Sequence, residues 1–404
     1  MARPLHRTAA ANTPSRRDLL RAAAATALGS NIAKAAADAG LPASGPTGNS
    51  QPFYYVDGYH GGVDGHMPPD SLRNVMDGLD KFPAWKVSFE IEPYSWARFA
   101  ASDPAATDRL RRFLADPTPA ARVELVSGMY AQPYAWNVGG ECVVRHLMYG
   151  RAAIAAAFPG VAVDTYAVQE PCWTSCLPQL LRSFGYRRAV LKNSTGWGGY
   201  HAPTADADLV AWAGPDGSTI PAVPRYACER AEPPATVESA KPTKGFIDRC
   251  RAAGIAHPAG GILQDMGWPG RPWRLGIAGD VYNAFRHTTW REYAETIAAP
   301  LTLRWKASQE DLRVVLAWGA SSVQRIARAV RAAENRLVQA EKLASIAVVR
   351  GGGVGGPAAG AFAYPADALQ NAWHLLLRAQ HHDAWIVPFN GHRERGTWAS
   401  RAVE

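Results

Sequence analysis

Cysteine is scarce. The chain has five in 404 residues, Cys142, Cys172, Cys176, Cys228 and Cys250, and no Cys-x-x-Cys pair. That excludes a dense disulfide framework and a cysteine zinc site. Cys172 and Cys176 are spaced for a local bridge, although small buried thiols are the plainer reading. Charged residues are also few, 19% of the chain, and the formal excess of +8 gathers into no basic run. About half of that excess sits in the first forty residues, on Arg3, Arg7, Arg16, Arg17, Arg21 and Lys34 less Asp18 and Asp38. Nucleic-acid binding is therefore not expected. Past the N-terminus no stretch approaches the roughly 20 apolar residues that span a bilayer, so no membrane association is expected of the mature chain. Internal repeats are lacking too, which excludes solenoids and propellers.

What is present describes a globular chain: 47% hydrophobic and 10% aromatic residues, enough for a large core in two or three structural units. The N-terminus reads "TPSRRDLLRAAAATALGSNIAKAAADAG", a paired arginine ahead of an Ala-rich stretch and small residues. Ser15-Arg16-Arg17-Asp18-Leu19-Leu20-Arg21 resembles the twin-arginine pattern, so residues 1–39 read as an export signal and the mature chain as periplasmic or extracellular. A linker at 40–52 follows.

From "FYYVDGY" onward, short apolar runs alternate with helical spacing. Leu72, Val75, Met76 and Leu79 share one helical face; "WKVSFEIE" precedes Leu110, Phe113 and Leu114; "RVELVSGMY" precedes Val144, Leu147 and Met148; "DTYAVQE" precedes Leu177, Leu180 and Leu181. "RRAVLK" and "GGILQDMG" continue the series. Such alternation predicts a parallel sheet with helical crossovers, open or closed into a barrel. Past about residue 308 the spacing of Val323, Ile326, Val330, Leu337 and Ala340, then of Leu369, Trp373 and Leu376, predicts long helices packed behind the α/β unit.

Ligands in such folds bind at the carboxyl ends of the strands. Polar residues follow several of the runs: His60, Asp64 and His66 in "YHGGVDGHMP"; Glu90 and Glu92; Glu141 after "YAQPYAWNVGG", a loop that includes Tyr134; Glu170 in "QEPCW"; and Asp265 in "LQDMGW". Converging imidazoles and carboxylates suit a divalent metal and acid–base chemistry. Near the C-terminus "LLLRAQHHDA" adds His381, His382 and Asp383.

Taken together, "VELVSGMYAQPYAWNVGGECVVRHLMYG", "EPCWTSCLPQLLRSFGYRRAVLKN", "LQDMGW", "RAAENRLVQAEKLASIA" and "LLLRAQHHDA" resemble, in order, segments of glycoside hydrolase family 38, the retaining α-mannosidases. The resemblance runs from about residue 52 to 398. It implies a parallel, seven-stranded, barrel-like β/α catalytic domain over 53–300, then a helical bundle over 301–404 that contributes a metal ligand. It also implies an exported zinc-dependent glycosidase acting on α-mannosides or related glycans, with one Zn2+ per chain and a carbohydrate as its partner. Oligomeric state is left open.

By the same resemblance His60, Asp64, Glu170 and His382 hold the zinc, Glu170 is the nucleophile and Asp265 the acid/base. Asp383 bonds sugar hydroxyls. Beside that resemblance, Trp197 and Trp268 are either stacking walls for a sugar's apolar face or buried core tryptophans, Glu141 either braces the "AQPY" loop or binds substrate, and His381 and Tyr134 are further substrate-site candidates. Two departures stand out. Glu170 occupies a position where the family has aspartate, and "HGGVD" spaces His60 from Asp64 by three residues rather than one, which leaves His66 and Asp57 as alternative partners of His60. The family continues into β-sandwich domains that this chain is expected to lack; residues 389–404 read as the start of a further segment. Two other readings stay open: a metal-dependent polysaccharide deacetylase-like hydrolase, in which zinc would activate water, and a non-catalytic carbohydrate-binding remnant.

Overall fold

The strand Phe53–His60 (β1) is buried at all eight positions, as a strand covered on both faces must be. In this computed structural model, which describes residues 52–62, 67, 68, 70–169, 173–192, 200, 201, 204–231, 243–264, 267–276, 282, 284–301, 303–307, 313, 314, 324–351 and 362–382, β1 organises the first sheet. Val87–Glu90 (β2) pairs with its carboxyl half and Val123–Leu125 (β3) lies beyond β2, all parallel. Ala259–Gly261 (β9) pairs along the opposite edge of β1, and Phe285–His287 (β10) pairs with its first three residues. β10 and β2 thus share one edge of β1 end to end.

A second sheet contains Thr165–Tyr166 (β4), Arg188–Val190 (β5), Val210–Ala213 (β7), Thr219–Val223 (β8) and Leu303–Lys306 (β11), in the order β11-β7-β8-β5-β4. The Ser127 amide donates to the Thr165 carbonyl at 3.1 Å, joining β3 to β4 across the two sheets. Tyr200–His201 (β6) and Arg313–Val314 (β12) form a small antiparallel pair.

The α/β class and parallel core match the expectation; closure into a seven-stranded barrel does not appear among the described strands. One reason is local. β7 and β8 are joined by the turn at Gly214 to Ser218, where the Gly214 amide donates to the Ser218 carbonyl at 2.8 Å. Four or five residues can return the chain only antiparallel, because a parallel return needs a crossover of a dozen residues or more.

Helices cover the sheets. Ser71–Lys81 buries Leu72, Val75, Met76 and Leu79, the face its spacing predicts. Gly140–Ala157 instead buries Cys142, Val143, His146, Leu147, Gly150 and Ile154, leaving Met148 42% exposed. Its inward face is turned about one residue from the one that Val144, Leu147 and Met148 suggest. The long helix Gln324–Gly351 packs on Ala366–Ala379, where the Trp373 indole donates to Glu341 Oε1 at 2.9 Å and Arg145 lies 4.1 Å over the Trp373 ring. No described helix is long and apolar enough to cross a membrane.

Candidate functional site

His60 and Glu90 are the last residues of β1 and β2 and lie opposite one another in register. On neighbouring parallel strands such residues share a face, and His60 Nδ1 lies 2.8 Å from Glu90 Oε2. The same carboxylate oxygen accepts from the Gln169 amide at 2.8 Å, so the imidazole is the donor. Burial pushes the Glu90 carboxyl up and the facing His60 pulls it back down. With its proton on Nδ1, His60 presents the Nε2 lone pair to the strand end.

The second imidazole comes from the far end of the sequence. Helix Ala366–Ala379 ends at Gln380, and His382 follows. The His382 amide donates to the Gln132 carbonyl at 3.3 Å and its Nδ1 approaches the same oxygen at 2.8 Å. A carbonyl can only accept, so this proton too sits on Nδ1. Gln132 reaches both atoms from a left-handed backbone, φ +48°, rare outside glycine and common where a site imposes it. Its side-chain amide also donates to the Glu90 carbonyl at 2.9 Å, tying the two supports together.

The two Nε2 atoms face each other at 3.3 Å, both histidines being at most 3% exposed. Two imidazole lone pairs at that distance repel unless a cation lies between them. Nitrogens about 2.0–2.1 Å from a tetrahedral ion stand roughly 3.3 Å apart, so the pair has the ligand spacing of zinc, with each tautomer fixed from behind by a carboxylate or a carbonyl. Glu90 Oε1 and Gln132 Oε1 are buried without a hydrogen-bond partner among the described residues. Those residues contain no group of three metal-ligating side chains. Asp64, His66, Glu170, Asp265, Asp383 and Trp197 lie outside the described residues. Gln169 and Gln264, the residues before Glu170 and Asp265, are hydrogen-bonded to Glu90 and His60: the His60 amide donates to the Gln264 carbonyl at 3.0 Å.

The remaining candidates are placed as follows. His381, fully buried, has Nε2 2.7 Å from Glu92 Oε1, and its ring stacks on His382 at 4.5 Å. The other Glu92 oxygen accepts from the Ser95 hydroxyl at 3.0 Å. That oxygen lies against Gly62, where a Cβ would meet it at 1.8 Å and the Ser95 hydroxyl at 2.6 Å, so a larger residue there would displace the Glu92–Ser95 pair. Tyr134 is buried with its ring 5.7 Å from that of His382. Glu141 is exposed in the first turn of Gly140–Ala157 and pairs with Arg145 at 2.8 Å. Trp268, 3% exposed, lies among Phe99, Tyr59 and Phe89 with ring centroids 5.3 to 5.7 Å away, so here it is a core side chain rather than a wall for a sugar.

Asp57 is excluded as the partner of His60. The two are three positions apart along β1, so they point to opposite faces, and the Asp57 carboxyl accepts from the Trp85 indole at 3.0 Å, the Gln264 amide group at 2.9 Å and the Trp273 backbone at 2.7 Å. Burial pushes this carboxyl up to about 7. Asp57→Asn replaces one of these oxygens by an NH2 that faces at least one donor, and the expected loss of stability is about 2–3 kcal/mol, read by urea denaturation. A change below 0.5 kcal/mol would contradict the brace.

Support for His382 includes residues that sequence reasoning passed over. The Ala131 amide donates to His146 Nδ1 at 3.4 Å, His146 Nε2 donates to Gln380 Oε1 at 3.0 Å, and the Gln380 amide group donates to Glu334 Oε1 at 2.7 Å. Burial lowers His146 to about 3, which keeps it neutral and able to accept and donate at once. Glu334 also accepts from the Gly139 amide at 3.1 Å. The chain of bonds runs from the loop before Gln132 to the residue two before His382. Gln380 stands inside "AQHHDA", where its position was the one available signal.

No protein-family model and no curated protein matches the chain. Solved structures share its fold. An α-mannosidase from Enterococcus faecalis V583 is similar with a TM-score of 0.57 at 15% identity, over 88% of this chain and 41% of that one. A protein in glycosyl hydrolase family 38 from Enterococcus faecalis gives 0.53 at 16% identity, over 88% and 38%. A GH57-type branching enzyme from Pyrococcus horikoshii gives 0.53 at 10% identity, over 87% and 88%. The chain thus spans about two fifths of the length of the first two.

Proposed function

We propose that the chain is an exported, metal-dependent glycoside hydrolase that works with retention on α-mannosides or related glycans. The observation that carries this reading is the pair of Nε2 atoms 3.3 Å apart at the strand ends, each with its proton committed on the opposite side of the ring. A fold shared with an α-mannosidase and a branching enzyme supports a carbohydrate substrate. His60 and His382 would hold a zinc ion, with Asp64 and Glu170 as the further ligands that the family resemblance implies. Bound there, zinc supplies a Lewis acid for vicinal sugar hydroxyls.

The chain's own residues do the rest. Glu90 and the Gln132 carbonyl orient the two rings and keep the Nε2 lone pairs aimed at one point. Glu170 attacks the anomeric carbon, and Asp265 gives its proton to the leaving oxygen and then takes one from water. A retaining pair of this kind works with its carboxyl groups about 5–5.5 Å apart. Asp383 bonds the hydroxyls, and Trp197 lines the apolar face of the sugar.

The test is hydrolysis of an aryl α-mannoside by the purified chain before and after chelation, with zinc added back. Expected are loss on chelation, recovery with zinc, and a fall of at least about 10³-fold in Glu170→Ala. Turnover unaffected by chelation would sink the metal mechanism. Turnover retained in Glu170→Ala would remove Glu170 as the nucleophile.

A further inference from the structure

The described thiols belong to Cys142, Cys176, Cys228 and Cys250. Two of them meet. Cys228 lies in the 3-10 turn Ala227–Ala231, Cys250 in the helix Lys244–Ala252, and their sulfurs are 3.7 Å apart. A disulfide holds its sulfurs about 2.05 Å apart, so side-chain rotation and a small local shift suffice to close the pair, without rearrangement of either element.

The two sulfurs have different surroundings. Cys250 is fully buried against Phe246, Ile247 and Ile255, while Cys228 is partly exposed at the edge of that cluster. The hydrogen bond from Cys250 lowers the Cys228 thiol and the nearby Lys192 ammonium lowers it further, whereas the hydrogen bond and burial raise Cys250. Lys192 is held in place on the other side by Glu229, the residue after Cys228, and lies 3.4 Å over the Tyr226 ring. One thiol is partly exposed and lowered from its ordinary value; the other is sequestered behind it. That is the arrangement of an attacking and a resolving cysteine.

We infer that Cys228 and Cys250 form a redox-closed pair, joined into a disulfide by exchange with a small disulfide-bearing oxidant. The Cys228 thiolate attacks one sulfur of the oxidant, forming a mixed disulfide and releasing one thiolate. Cys250 gives up its proton, attacks the Cys228 sulfur and displaces the second thiolate. Two protein thiols are oxidised and one external disulfide is reduced to two thiols. The closed loop of about 22 residues pins the turn carrying Glu229 to the helix, and with it the partner of Lys192 at the carboxyl end of β5.

The experiment treats the full reduced chain with oxidised glutathione, quenches with acid, alkylates under denaturing conditions and maps the peptides. The expected product lacks two hydrogen atoms, carries a Cys228–Cys250 linked peptide, and melts about 3–6 °C above the reduced chain. Cys250→Ala, which keeps an apolar side chain in the cluster, should stop at the mixed disulfide and retain one glutathione on Cys228. Full alkylation of both cysteines after oxidation would overturn the inference. So would glutathione retained on wild-type Cys228, a bridge from Cys228 to another cysteine, or no adduct in Cys250→Ala.

Discussion

His382→Ala is expected to strip the site of zinc. Binding of about 10–16 kcal/mol shared among four ligands amounts to roughly 2.5–4 kcal/mol for each, so loss of one imidazole weakens affinity about 60- to 700-fold. Turnover of an aryl α-mannoside should fall with it. The graded comparison is Glu90→Gln, which keeps the His60 ring and removes only the charge behind its Nδ1; a supporting partner of this kind is worth about 10- to 100-fold in affinity. Metal content after dialysis against buffered zinc reads both. Equal zinc in wild type and His382→Ala, with unchanged circular dichroism, would rule out the imidazole pair as the ligand core.

Trp268→Ala carries the second large effect, and it falls on stability. The ring is 3% exposed and lies among Phe99, Tyr59 and Phe89. Truncating a buried tryptophan costs about 3–5 kcal/mol through lost contacts and the cavity left behind. The expected pattern is a drop of that size in urea denaturation with KM for an aryl glycoside unchanged in the folded fraction. A raised KM with stability kept within 1 kcal/mol would return Trp268 to the sugar-binding surface.

These two residues mark where the sequence was readable and where it was not. "FYYVDGY" announces a buried parallel strand, and the histidine pair in "AQHHDA" stands out as chemistry at a helix end. Which of the two histidines meets His60 depends on how the chain leaves the last helical turn, and that follows from the contact between Pro133 and His381. Such a contact joins segments about 250 residues apart and has no local signature. Glu90 is similar: its place behind His60 follows from the β1–β2 register, which no periodicity records. Gln132 precedes a proline, which argues for extended backbone, yet it takes a left-handed conformation because its carbonyl must meet His382. Trp268 and Asp57 follow or precede strand-end motifs closely enough to look functional, and only their full sets of neighbours place them in the core. The antiparallel return of β7 into β8 was likewise masked by apolar runs that look alike in either direction.

The histidine pair also sets when the site can come into being. His60 and His382 are separated by 322 positions, and at about 5–20 residues per second a ribosome takes roughly 16–64 s to pass from one codon to the other. Throughout that interval the first imidazole waits on a partial sheet with its counterpart unmade. The ring pair therefore closes only after the helix Ala366–Ala379 has been made and its end has docked against Gln132.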